Sequence, residues 1–405
     1  MRLFLLALRN LTRNKRRTMI TAGAVVFGAM AIVFLQGFVN GFIRLGIEAS
    51  VLTKVAPIQV YRKGYIGADD PLKLNLPTDP ALVAKIAAVP GVNAVAPRIF
   101  FDGMVSNGAE STMFMATAID PALEYKVCPM RKTQVARGSA PLAPGHDGSV
   151  LIGKTLAEAL GAKLGSTLVM QSAGPNAAGT NAIDIEVSGF LPTLNIIESK
   201  RMATVSLGFA QQLLRMDGQV TQYAVGVGDL AQVDAISAAV RAALGPEFLV
   251  TTWREIDPRT AEQSTTLRWV LGFVGLVLFL LVATGIINTM LMSVHERVRE
   301  IGTMLAVGVR RWQIMTLFLW EAVALGILGA AVGVAGGYAI VRAFERAGVK
   351  LNPPGGDMIV YVHPHIDFWF LGAVVVFAVI GTVLAALYPA WKASRLQPVE
   401  ALRAT

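Results

Sequence analysis

The sequence predicts a membrane protein of four transmembrane α-helices, with a large α+β extracytoplasmic domain inserted between helices 1 and 2. Three observations predict it. The 405 residues are 54% hydrophobic and only 16% charged, a balance that points to lipid. Four stretches, 18–43, 269–294, 312–341 and 368–391, carry a single charge among them, Glu321, and each exceeds the roughly 20 residues needed to cross the hydrocarbon core. The segment 44–268, between the first two spans, is ordinary globular sequence. A soluble fold would lack the polar chain to cover four such helices.

The basic leader 1–17 holds Arg2, Arg9, Arg13, Lys15, Arg16 and Arg17, which predicts a cytoplasmic N-terminus. The first span is too long for a cleaved signal core and has no small-x-small site after a short one, so it is expected to stay. The cytoplasmic side then receives Arg297, Arg299, Arg310 and Arg311 in the loop 295–311, and Lys392, Arg395 and Arg403 in the tail 392–405. Arg342, Arg346 and Lys350 in the outer loop 342–367 weaken this contrast without reversing it. The expected location is therefore the cell inner (plasma) membrane, multi-pass, with both termini cytoplasmic. The net charge of +9 reads as topology and attraction to membrane lipids, not as a nucleic-acid surface.

Inside 44–268, short apolar or alternating runs at 57–61, 112–119, 167–171 and 184–190 predict strands. Helices are predicted over 80–89, capped by Asp79, and over 208–216 and 230–244. Loops at 140–148 and 174–179 could border an inserted subdomain. The lone Cys128 can form no intramolecular disulfide and is expected to pack as a small apolar residue.

Gly148-Ser-Val-Leu-Ile-Gly153-Lys154-Thr155 fits the phosphate-loop pattern letter for letter. That chemistry needs a flexible loop between strand and helix, whose amides cradle phosphate. Here the four variable positions are themselves strand-like, so a strand entering a helix is expected, with no nucleotide. No metal site and no catalytic residues emerge; His363 and His365 stand isolated.

The loop 295–311 continues the periodicity of span two, and a break is expected at Gly302. A short amphipathic helix should follow and end at Gly308, with Ile301, Met304 and Leu305 free to dock on a partner. Gly329, Gly333 and Gly337 recur every four residues in span three, as in close helix packing, within one chain or between two. Glu321 should snorkel towards the interface or pair with a basic residue such as Arg310 or Arg311, with a proton relay as the alternative.

These residues resemble the MacB/FtsX-like permeases of the ABC exporter class. The resemblance rests on Asn288-Thr-Met-Leu-Met-Ser-Val-His-Glu-Arg-Val-Arg-Glu-Ile-Gly302, on Ala306-Val-Gly308 before Arg310-Arg311, on Phe318-Leu-Trp-Glu321 before the glycines, and on 389–403. It implies an ABC ATPase dimer, which holds the ATP and Mg, docking on Glu296, Arg299, Glu300, Ile301, Met304, Leu305 and Gly308. It also implies a second permease copy, identical or related, and mechanotransmission to the outer domain. The layout, starting at the membrane without a fused ATPase, is closest to lipoprotein-releasing permeases. The expected function is export or extraction of a lipid-like, lipoprotein or peptide substrate, with a periplasmic adaptor or lipoprotein as a further partner. The alternative is an FtsX-like mechanical relay that regulates a cell-envelope partner without transport.

Overall fold

The computed structural model describes residues 15–136, 138–176, 179–192, 196–351 and 360–397. The leader before Lys15, residues 352–359 of the outer loop, and the tail beyond Gln397 lie outside the described residues. The chain divides into a helical unit, made of the chain up to Ile43 with Ser264–Val349 and Tyr361 onward, and an α+β unit, made of Arg44–Gln263 with Lys350–Val360.

Helix α1 (Lys15–Ser50) leads into the α+β unit through a π-helical turn, Val51–Val55. There follow β1 (Ile58–Arg62), β2 (Leu76–Pro77), α2 (Pro80–Ala87), β3 (Val92–Ser106), β4 (Ser111–Ile119), α3 (Pro121–Val127) and α4 (Pro129–Thr133). The chain continues through β5 (Ser149–Gly153), α5 (Lys154–Ala159), β6 (Thr167–Ala173), β7 (Thr180–Leu191), α6 (Ile196–Ser199), β8 (Met202–Ser206) and α7 (Leu207–Leu214). It closes with β9 (Gln219–Val220), β10 (Gln222–Val227), α8 (Val233–Leu244), β11 (Phe248–Thr252) and α9 (Trp253–Ile256).

Nine strands form one sheet in the order β11-β1-β10-β3-β4-β8-β5-β7-β6, and β6 also pairs with the far end of β3. Six strands, from β3 round to β6, thereby close into a barrel. The closure is possible because β3 is 15 residues long: its first half pairs with β10 and its last residues with β6. Alternation along the strands fills the interior with Phe101, Phe114, Ile152, Met170, Val187 and Val205 and turns the intervening residues outward. The predicted strands and helices all form, and Asp79 accepts from the Ala81 amide as the expected N-cap. The subdomain border suggested by the glycine-rich loops does not, because β5 and β8 pair within the same continuous sheet.

Among the described residues four helices are long and apolar enough to cross a membrane: α1, α10 (Pro258–Glu296), α12 (Arg311–Ala347) and α13 (Phe368–Ser394). Helix α1 outruns its apolar span to Ser50, and α10 begins well before residue 269. Polarity ends a lipid span but does not end a helix. Between α10 and α12 lies α11 (Val298–Ala306).

Helix α12 is the most enclosed of the four, and its glycines explain how. A Cβ on Gly329 would stand 2.9 Å from the Val25 Cβ, and one on Gly337 2.9 Å from the Val33 Cβ, while one on Gly333 would collide with the Val26 carbonyl. The ladder packs against α1 of the same chain, and backbone proximity replaces the hydrophobic effect that is absent in lipid. Gly333→Val is therefore expected to cost about 1–3 kcal/mol, the usual range for overpacking. The measurement is thermal unfolding in detergent; an unchanged midpoint would refute the close approach.

Candidate functional site

Two clusters stand out, one in each unit. In the helical unit, α10 ends at Glu296 and Arg297 breaks the helix at φ −107°, ψ 14°, before α11 starts. The break falls at Arg297, not at the expected Gly302, which is buried inside α11. The physical reason is an ion pair: Arg297 turns inward and its Nη1 lies 3.5 Å from Oε2 of Glu321. Both residues are buried. Glu321 thus pairs with a basic residue, as expected, but that residue is Arg297 at the elbow and not Arg310 or Arg311. Periodicity alone could not find this, since the partners are 24 residues apart, one at the break before α11 and one on α12.

The amphipathic helix forms as expected, but its apolar face is already used. Ile301 is buried, and Met304 and Leu305 are half-buried, against a core that includes Ile314, Phe318, Ala390 and Ala393. The expectation that these three stand free for a partner is corrected: they seat α11 on its own bundle. What faces outward is Glu296, Arg299, Glu300, Thr303 and Val307, the last 85% exposed. Sequence reasoning missed Val307, although a valine beside a glycine turn was the available signal. Gly308, at φ +95°, makes the turn towards α12, a conformation that costs a side-chain-bearing residue strain.

In the α+β unit, the carbonyl end of the first helix is held by buried charge. Arg98 Nε and Nη2 donate to Glu124 Oε2 and Oε1 at 2.9 and 2.7 Å, and Arg131 Nη1 donates to Oε1 at 2.9 Å. The remaining donors reach the π-helical turn. Arg98 Nη1 bonds the Lys54 and Val55 carbonyls at 2.8 and 3.1 Å, and Arg131 Nε bonds Thr53 O at 2.7 Å. A helix terminus leaves carbonyls unsatisfied and partly negative, so cations belong there. Burial is the largest influence on the Glu124 carboxyl and pushes its pKa up, but the pull of Arg98 and Arg131 outweighs it and holds the group below the usual carboxylate range.

Cys128 lies in this joint, fully buried, accepting from Arg98 Nη2 at 3.1 Å. It packs with Ala56, Ala96, Val127 and Ala224, as the apolar expectation had it. Burial raises its thiol pKa despite the nearby arginines, which makes it a poor nucleophile. Beside the joint, Ser50 Oγ at the end of α1 donates to Asp257 Oδ2 at 2.5 Å, and Thr260 Oγ1 donates to the same oxygen at 2.6 Å. The two ends of the segment 44–263 therefore meet at one place, with β1 and β11 paired beside it.

The phosphate-loop lookalike is a strand entering a helix. Ser149–Gly153 is β5, hydrogen-bonded on both sides to β7 and β8. The Thr155 amide, which a phosphate would require, donates to Ser199 Oγ at 3.0 Å. Gly153 is a glycine because a Cβ there would strike the Ser199 carbonyl. Among the described residues no group of three His, Cys, Asp or Glu is placed to hold a metal.

The profile of the MacB-like periplasmic core domain matches residues 18–243, and that of the FtsX-like permease C-terminal domain matches residues 272–398. The chain is 25% identical to the lipoprotein-releasing system transmembrane protein LolC of Xylella fastidiosa, over 79% of this chain and 80% of that one. It is 40% identical to the macrolide export ATP-binding/permease protein MacB of Syntrophobacter fumaroxidans, over 39% of this chain and 20% of that longer one. The crystal structure of the periplasmic region of MacB from Actinobacillus actinomycetemcomitans aligns with a TM-score of 0.36 and 11% identity, covering 51% of this chain and 94% of that one. The two profiles between them take in all four membrane-spanning helices and most of the inserted domain, so the chain belongs to the MacB/FtsX-like family of ABC transporter permeases.

Proposed function

We propose that this chain couples ATP binding and hydrolysis, by a cytoplasmic ABC ATPase dimer, to movement of its α+β domain on the other side of the membrane. ATP and Mg reside on that dimer, and a second permease copy completes the complex. The basic flanks support a plasma-membrane topology with α11 and both termini in the cytoplasm. The likeness to LolC supports a lipoprotein, or a similar lipid-bearing polypeptide, as the substrate.

One observation carries the coupling. Helix α11 is seated on its bundle by Ile301, Met304 and Leu305, and it and its flanks present Glu296, Arg299, Glu300 and Val307 outward. A seated helix with a polar rim and one bare apolar side chain fits a groove in a partner, with the charges steering and the valine anchoring. The buried joint around Glu124 is the receiving end, where a displacement of α1 reaches the sheet.

Val307→Asp tests the docking. A carboxylate buried without a counter-charge costs several kcal/mol, and about 1.4 kcal/mol already lowers affinity tenfold. Co-purification of the ABC ATPase with the variant is expected to fall at least that far, while Thr303→Ala retains it. Leu305→Asp would instead unseat the helix. If Val307→Asp keeps the ATPase as well as the parent does, α11 is not the docking element.

A further inference from the structure

The outer face of the barrel carries four methionines on three neighbouring strands. Met104 on β3 is the direct cross-strand partner of Met113 on β4. Met115, two residues further along β4, is the partner of Met202 on β8. The intervening Phe114 and Ala116 belong to the barrel interior, so both partner pairs stand on the opposite, outward face. Met104, Met113 and Met115 are 46%, 52% and 63% exposed. Met202 is half-buried, packed at the edge of a small cluster containing Ile119 and Leu151. Asp102 lies opposite Met115 on the same face, exposed.

Directly opposed residues have Cβ atoms roughly 5 Å apart, and positions i and i+2 on one strand are about 7 Å apart. An unbranched thioether side chain with three rotatable bonds spans such gaps readily. The sulfurs of Met104, Met113 and Met115 can therefore converge above β3 and β4 without movement of the backbone, whereas Met202, two strands and two residues away from Met104 at roughly 12 Å, adjoins the three without closing the set. Thioethers are soft, neutral ligands that do not compete for protons, and among biological cations they select Cu(I). Asp102 adds negative charge beside an otherwise uncharged ligand set.

We propose that Met104, Met113 and Met115 form a three-sulfur surface site for a soft monovalent cation of the Cu(I) and Ag(I) class. Neither the coupling nor the transport reading requires such a site. A methionine patch is also suited to docking an apolar partner, and leucine separates the two cases, since it keeps the apolar area and removes the sulfur.

The experiment is titration of the full-length protein in detergent with Ag(I), followed by calorimetry and by the methionine methyl resonances, and with Cu(I) under anaerobic conditions against a chromophoric chelator. The expected result is one equivalent bound, with the largest shifts at the methyls of Met104, Met113 and Met115. A change in the outer shell of a metal site already costs about 10- to 100-fold in affinity, so Met113→Leu/Met115→Leu is expected to lose at least about a hundredfold. Met104→Leu alone should lose less while the thermal midpoint stays unchanged, which guards against misfolding. Absence of binding to the parent protein overturns the proposal. So does undiminished binding by the folded double-leucine variant, which would place the ion elsewhere.

Discussion

Glu124→Ala is expected to destabilise the α+β unit by about 3–5 kcal/mol, the usual result of removing one partner from a buried ion pair. Glu124 is fully buried, and its loss leaves Arg98 and Arg131 facing each other without a counter-charge. Against a total stability of about 5–15 kcal/mol for a domain, that is enough to loosen the joint in a large fraction of molecules. Cys128 supplies the readout. Its buried thiol should resist alkylation in the folded parent and react readily in the variant, alongside a lowered thermal midpoint. If Glu124→Ala leaves both unchanged, the cluster does not hold the end of α1. Because the folded-state carboxyl lies below its unfolded value, its contribution is fully present above the unfolded pKa of about 4.3 and is lost as the pH falls through the folded value. The stability gap between parent and Glu124→Gln should thus be constant near neutrality and close in acid.

Glu321→Ala is expected to release the elbow between α10 and α11. It leaves Arg297 buried, and the Nη2 of that residue already has no hydrogen-bond partner among the described residues. Breaking a buried pair on one side costs about 3–5 kcal/mol, and here the cost falls on one short helix whose remaining anchors are Ile301, Met304 and Leu305. Amide exchange over 298–306 should accelerate about a hundredfold or more, since each 1.4 kcal/mol of opening energy is tenfold. The double variant Arg297→Met/Glu321→Leu is expected to restore protection, because well-packed apolar groups replace such pairs at little cost. Unaltered exchange in Glu321→Ala would show that the helix is set by its apolar seat alone.

The sequence by itself determined the four spans, because crossing lipid requires an uninterrupted apolar stretch and that is a local property. It determined the caps and turns of the inserted domain, such as Asp79 before α2, for the same reason: an N-cap serves amides two or three residues away. It also decided against the phosphate loop, since Ser-Val-Leu-Ile fits a strand and not a loop. Tertiary structure alone decided what each shared face touches. Periodicity placed Ile301, Met304 and Leu305 together but could not say that the bundle packs against them and leaves Val307 exposed. Spacing made Gly329, Gly333 and Gly337 a contact face without naming α1 as the helix they contact. Glu321 needed a cation, and the candidates nearest in sequence, Arg310 and Arg311, lost to Arg297, which the end of α10 brings into the core. The Arg98, Glu124 and Arg131 cluster left no sequence signal, because a buried charge is stabilised by distance and dielectric, and both are fixed only when β3, α3 and α4 close around the end of the first helix.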